Sequence, residues 1–93
     1  MTTPASRPLS ILYFAWVAEQ IGCRQEQCED ADDMRSLTIA AFLARHAATS
    51  PGHTAAFARA DRLRAALDQQ FTSLDTIIGN ARELAIFPPV TGG

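Results

Sequence analysis

The chain has 93 residues, 47% hydrophobic and 19% charged, with a formal net charge of −2. That length holds one domain with a single modest core, burying ~60–65% of the unfolded surface, and the composition is that of a folded globule rather than a disordered chain. The acidic balance supplies no footprint for a phosphate backbone, which argues against nucleic acid. The apolar run over residues 11–18 falls far short of the ~20 residues that span a bilayer, which argues against a membrane partner.

Every basic residue is arginine, which removes Schiff-base lysine chemistry and a phosphate-loop lysine. Residues 1–10 carry paired prolines, serines and threonines without apolar periodicity and read as a flexible N-terminal arm. Residues 11–17 (ILYFAWV) are β-branched and aromatic on both parities, the pattern of a strand covered on each face, one side core and the other an interface. The same run after Arg7 faintly imitates a secretory signal, but bulky Trp16 does not fit its cleavage site, so the expected location is cytoplasmic. Ile21-Gly22-Cys23 reads as a turn and residues 25–29 as a return strand at a sheet edge. Cys23 and Cys28 lack the spacing of redox or zinc motifs and are expected to be reduced thiols, with no metal. Asp30, Asp32 and Asp33 lack a calcium-loop pattern and read as a solvated loop.

A helix is predicted next, with Ser36 as its N-cap and Ile39, Phe42, Leu43 and His46 on one stripe. It ends before Ser50-Pro51-Gly52, and residues 54–60 add one further turn or two. His46 falls at the stripe edge, and His53, beside Pro51-Gly52, reads as solvated. Residues 59–70 are helical by propensity. Residues 71–74 alternate as a short strand, Gly79-Asn80 is turn chemistry, and residues 83–87 (ELAIF) form a last strand that Pro88 and Pro89 stop. The five phenylalanines, Tyr13 and Trp16 are expected mainly in the core. No serine, cysteine and histidine combination suggests a nucleophilic triad.

The ending Pro88-Pro89-Val90-Thr91-Gly92-Gly93 is odd for a structural terminus. Glycine packs nothing and costs entropy when ordered, so a partner should grasp it. Two glycines thread a narrow channel, the terminal carboxylate is unhindered, and no charged side chain occurs after Glu83, so only one charge must be desolvated.

The full ending LAIFPPVTGG resembles that of the small-subunit family of molybdopterin synthase, β-grasp (ubiquitin-like) sulfur carriers that close on an apolar strand, Phe-Pro-Pro-Val, Thr or Ser, and Gly-Gly. Residues 11–15, Glu19, Gly22 and residues 43–46 extend the likeness. The resemblance implies an α+β fold, a mixed sheet of four to five strands with one main helix packed on it, over residues 11–87, with an extended tail at 88–93. By the same likeness residues 63–67 form a strand, Asp68-Gln69-Gln70 a hairpin turn and residues 71–74 its partner, overriding the helical propensity. Two departures stand out: Trp16 and Ala18 replace basic side chains common in the first loop, and Asn80-Ala81-Arg82-Glu83 replaces an acidic turn.

The implied chemistry is adenylation of Gly93 by a ubiquitin-activating-like adenylyltransferase using ATP, then conversion to a thiocarboxylate by a sulfur donor. The tail, Pro88, Pro89, Val90, Thr91 and Gly92, then enters the synthase large subunit, where Gly93 delivers sulfur to a cyclic pyranopterin phosphate. The chain is thereby the sulfur-donating subunit of a sulfurtransferase, without an acid-base site or a permanently bound cofactor. Phe14 and Phe87 are expected at the partner interface. Two alternatives stand beside this: a carrier of the same fold for thiamine synthesis or tRNA thiolation, and a β-grasp interaction module whose tail is incidental.

Overall fold

The computed structural model describes residues 8–29, 32–58 and 60–89. Five strands, β1 (Leu9–Tyr13), β2 (Gln25–Cys28), β3 (Arg64–Leu67), β4 (Gln70–Thr72) and β5 (Glu83–Phe87), form one mixed sheet in the order β2-β1-β5-β3-β4. The central pair, β1 and β5, is parallel, with Ile11 opposite Leu84 and Tyr13 opposite Ile86. The other pairings are antiparallel. One face of the sheet carries Leu9, Ile11, Tyr13, Ala65, Leu84 and Ile86, all buried. A helical layer supplies the rest of that core through Val17, Ile39, Phe42, Leu43, Ala56 and Phe57.

The helical layer is α1 (Ala15–Ile21), α2 (Asp32–Arg35), α3 (Ile39–His46) and α4 (Pro51–Phe57), with 3-10 turns at Ala47–Thr49 and Ala60–Arg62. Sequence and structure part company at several points here. The strand expected over residues 11–17 stops at Tyr13, because its neighbour β5 runs out at Phe87 and Ala15, at φ 56°, turns the chain into α1. Val17 and Ile21, one helical turn apart, then pack against the core. The strand also starts earlier: Leu9 and Ser10, read as part of the arm, pair with Cys28 and Gln27, while residues 1–7 lie outside the described residues. The N-cap of α3 is Thr38, whose hydroxyl accepts from the Ala41 amide at 3.1 Å, not Ser36, which donates to the Asp33 carbonyl. The further turn expected at 54–60 is instead α4, opened by Ser50 as N-cap with Pro51 in its first turn, a favoured placement for proline. The single main helix is thus three short ones and a one-turn segment.

The two strands over the ambiguous stretch form as the resemblance implied, with shifted bounds: β3 begins at Arg64, Gln70 belongs to β4 rather than to the turn, and β4 ends at Thr72. Leu67 pairs with Gln70 around Asp68 and Gln69, both at positive φ (49° and 71°), the conformation a two-residue hairpin needs. Asp68 is also tied to β5: its carboxylate accepts from the Arg82 and Glu83 amides at 2.9 and 3.1 Å. The segment before β5 is fixed from the other side by Arg35, whose guanidinium donates to the Gly79 and Ala81 carbonyls, each at 2.7 Å. No described helix is long and apolar enough to cross a membrane.

The helical layer is held close at Gly52. A Cβ there would collide with the Gln20 carbonyl oxygen and lie 3.1 Å from Ile21 Cα, so α4 can approach the end of α1 only without a side chain. The obstacle is backbone and cannot rotate away. Gly52→Ala is expected to destabilise the fold by about 1–3 kcal/mol, which urea unfolding of the variant beside the wild type measures.

Candidate functional site

Two places on the molecule concentrate chemistry. The first is the end of β5. On the sheet face opposite the helices, Phe87 lies across from Arg64, and Phe71 across from Ala66. The Phe71 and Phe87 ring centroids are 5.6 Å apart, and Phe14 meets Phe87 edge to face at 6.5 Å. Phe71 is 83% exposed and Phe14 48%. Three neighbouring aromatic rings, two of them exposed, form the kind of apolar patch that a monomer seldom exposes without a partner. Pro88 and Pro89 leave directly from it, half-buried. Val90, Thr91, Gly92 and Gly93 lie outside the described residues.

Phe14 and Phe87, expected together at an interface, are therefore ring neighbours. Phe71 was missed: an alternating strand says which residues share a face, not whether that face is covered. The expectation that the phenylalanines are mainly core holds for Phe42 and Phe57, which are buried with Tyr13, and fails for Phe14 and Phe71.

The second place is a polar knot on the helix-facing side of the sheet. Glu26 pairs with Ile11, so on edge strand β2 its side chain shares the face of Leu9, Ile11 and Tyr13. A carboxylate there must find donors. Its Oε1 accepts from the Tyr13 hydroxyl at 2.6 Å and meets Nε2 of His53 at 2.9 Å and Nε2 of His46 at 3.1 Å. His53, read from sequence as solvated, is only 4% exposed. The N-cap turn of α4 carries it inward, where it packs edge-on to His46 at 4.9 Å and near Phe57 at 5.8 Å. His46 stacks on Phe42 at 5.2 Å.

The far ring nitrogens have partners too. His53 Nδ1 lies 2.7 Å from Ser50 Oγ, and His46 Nδ1 lies 3.4 Å from Thr49 Oγ1. Among the described residues, Glu26, His46 and His53 are a group able to hold a metal ion, their ligand atoms all within 4.8 Å of one another. Neither the spacing 26, 46, 53 nor any local motif announces this.

The knot sets the local electrostatics. Burial alone would raise the Glu26 carboxyl, but hydrogen bonds from Tyr13, His53 and His46 outweigh it and hold the group at about 2, against an ordinary 4.5. Burial, and then the Glu26 carboxylate, pushes the Tyr13 hydroxyl well above the usual phenol range. Burial and Glu26 likewise raise the Cys28 thiol, with Arg45 opposing. Cys23 and Cys28 are both free and half-buried. Asp33 pairs with Arg45 at 3.1 Å on the surface, solvated as expected, but it lies in α2 rather than in a loop.

Because the folded-state value of Glu26 is depressed, its ionised form adds stability that is complete above the ordinary value of 4.5 and disappears as pH falls through about 2. Glu26→Gln should remove that slope. At this partly exposed rim the effect is on the order of 1–2 kcal/mol at neutral pH after solvent screening. Urea midpoints of both proteins between about pH 2 and pH 7 check it.

The comparisons with known proteins converge on the same fold. The family model described as ThiS family matches residues 11–93. The molybdopterin synthase sulfur carrier subunits of Haemophilus influenzae and Escherichia coli are 33% and 35% identical to this chain over 85 residues, covering 91% of it and 99% of each relative. Two crystal structures of small archaeal modifier protein 1 from Haloferax volcanii share the fold at 24% identity. Their TM-scores are 0.65 and 0.67, covering 92% and 89% of this chain and 99% and 98% of theirs. A five-stranded mixed sheet with β1 and β5 parallel at its centre, under a helical layer, is the ubiquitin-like β-grasp. With a family match over residues 11–93 and two relatives above 30% identity across most of its length, this chain belongs to the ThiS family.

Proposed function

We propose that this chain is a sulfur carrier for molybdopterin synthase, acting in the cytoplasm as the small subunit of that sulfurtransferase with Gly93 as its reacting end. The observation that carries the reading is the central strand β5 running directly into Pro88-Pro89 beside the Phe14-Phe71-Phe87 patch, in a chain similar over 91% of its length to sulfur carrier subunits of that enzyme.

The chemistry starts from the carboxylate. Oxide is a poor leaving group, so oxygen is not exchanged for sulfur until the group is activated. A Gly93 carboxylate oxygen attacks the α-phosphorus of ATP on an adenylyltransferase and expels pyrophosphate. The resulting acyl-adenylate is then attacked by hydrosulfide, HS−, released by a sulfur donor; the C–S bond forms as the C–O bond to AMP breaks, and loss of the S–H proton leaves the thiocarboxylate. Gly92 and Gly93 enter the large subunit's site because they have no side chains, and Val90 and Thr91 come in behind them. Pro88 and Pro89 fix backbone φ and limit the entropy lost when the tail is gripped. The large subunit supplies the acid-base groups, and sulfur passes to a cyclic pyranopterin phosphate. The aromatic patch is the surface on which the large subunit seats.

Two outcomes test this. Deleting Gly93, or extending the chain beyond it, should abolish sulfur loading and cofactor formation while the unfolding midpoint stays unchanged; intact mass of the chain after incubation with the activating enzyme, ATP and the sulfur donor reads the loading. A Cys23→Ser/Cys28→Ser protein should load normally, and loss of loading there would replace the acyl route with a cysteine persulfide.

Phe87→Ala should weaken association with the large subunit by about 2 kcal/mol, roughly 30-fold in Kd, and leave adenylation of Gly93 nearly unchanged. Titrations against each partner separate the two. Unchanged affinity for the large subunit would move the interface elsewhere.

A further inference from the structure

We propose that Glu26, His46 and His53 form a mononuclear site for a borderline transition metal ion, with Zn2+ the first choice. The site is independent of the tail and its chemistry. Three elements, β2, the end of α3 and the first turn of α4, each bring one ligand atom to a common point. Glu26 Oε1 is 2.9 Å from Nε2 of His53 and 3.1 Å from Nε2 of His46. Ligands held ~2.0–2.1 Å from a tetrahedral zinc stand roughly 3.3 Å apart, so each carboxylate–imidazole pair needs to open by only a few tenths of an ångström, and all three ligand atoms lie within 4.8 Å of one another.

The outer partners match what a metal site requires. A ligating imidazole is oriented by a hydrogen bond at its other nitrogen. Here Ser50 Oγ faces Nδ1 of His53 and Thr49 Oγ1 faces Nδ1 of His46. The Tyr13 hydroxyl fixes the carboxylate by donating to it at 2.6 Å. His53 is buried, whereas His46 borders an open cleft lined by Cys28, Met34, Phe42, Arg45 and Thr49, which gives the ion a route in.

The donor set selects the metal class. Two imidazoles and one carboxylate suit zinc and its neighbours, whereas calcium and magnesium take all-oxygen shells. A ligating carboxylate must be ionised, the ordinary state of a carboxyl at neutral pH. In the metal-free protein, Nε2 of each ring meets Glu26 Oε1 and Nδ1 meets a hydroxyl. On binding, Nε2 donates its lone pair to the ion, the proton sits on Nδ1, and the hydroxyl of Ser50 or Thr49 turns to accept it. A neutral ring that carries its proton on Nε2 moves it to Nδ1 and releases none. The fourth position stays open to water or an outside donor.

The test uses the full chain, stripped with a chelator and titrated with Zn2+ alone by calorimetry, with histidine ring nitrogen resonances monitored by NMR. The expected result is one zinc per chain, with both Nε2 signals moving and both Nδ1 atoms protonated. Co2+ in place of Zn2+ should give the visible absorption of a four-coordinate site, a readout that needs no variant. His46→Ala changes a residue at the rim and Glu26→Gln keeps its shape, so each should fold; each is expected to weaken binding by more than ~100-fold. Ser50→Ala, one bond further out, is expected to cost ~10–100-fold. A Cys23→Ser/Cys28→Ser chain should bind as the wild type does. No saturable binding, undiminished binding by His46→Ala, or loss of binding in the double cysteine variant would each overturn the assignment.

Discussion

The last strand of the chain occupies the middle of the sheet, and most of the architecture exists to keep it there. β5 lies parallel to β1 on one side and antiparallel to β3 on the other, so its backbone groups are spent on both edges and its direction is fixed. Leu84 and Ile86 are fully buried beneath the helices. A terminal element would ordinarily be the first to fray. Here, releasing β5 would separate the β1-β2 pair from the β3-β4 hairpin and empty the centre of the core. The chain beyond Phe87 therefore departs from the middle strand of the sheet.

The approach to β5 is secured with equal care. Arg35 grips two carbonyls of the preceding segment, Asp68 accepts from the first amides of the strand, and the Ser10 amide donates to the Arg82 carbonyl at 2.9 Å. These contacts join α2, the hairpin and β1 to one short stretch of backbone. Hydrogen bonds from a charged group to backbone carbonyls are among the stronger polar contacts a fold has. They set the register of β5, and with it the distance from the aromatic patch to the point where Pro88 begins.

The two faces of the sheet solve different problems. The face away from the helices keeps small Ala66 and Ala85 at its centre and lets Phe71, Phe87 and Phe14 gather beside the departing tail. The helix-facing side takes in an acid, Glu26, at its edge and neutralises the penalty with a tyrosine and two histidines. Among the described residues, no buried side-chain nitrogen or oxygen lacks a partner. The knot also joins the β1-β2 pair to α3 and α4. A satisfied network of this kind specifies one arrangement of the layers, since any shift leaves several groups unpaired at once.

Features that depend on local chemistry are legible in the residues themselves. The strand at 83–87, the stripe of Ile39, Phe42 and Leu43, and the turn at Gly22 are written in side-chain type and near-neighbour spacing and form where they were read, while of the ending FPPVTGG only residues 87–89 are described. A family likeness was needed for residues 63–67, because propensity there favours helix and only pairing with β5 makes a strand. Long-range pairing alone decided where β1 ends, since residues 11–17 look uniformly strand-like and the limit is set by the length of β5, near the other end of the chain. Packing between distant elements also decided the fate of the polar residues. Glu26, His46 and His53 have no local reason to meet, and a histidine beside Pro-Gly reads as solvated until α4 folds it against α3. Contacts between distant elements choose which polar groups are buried together, and that choice has no short-range period in the sequence.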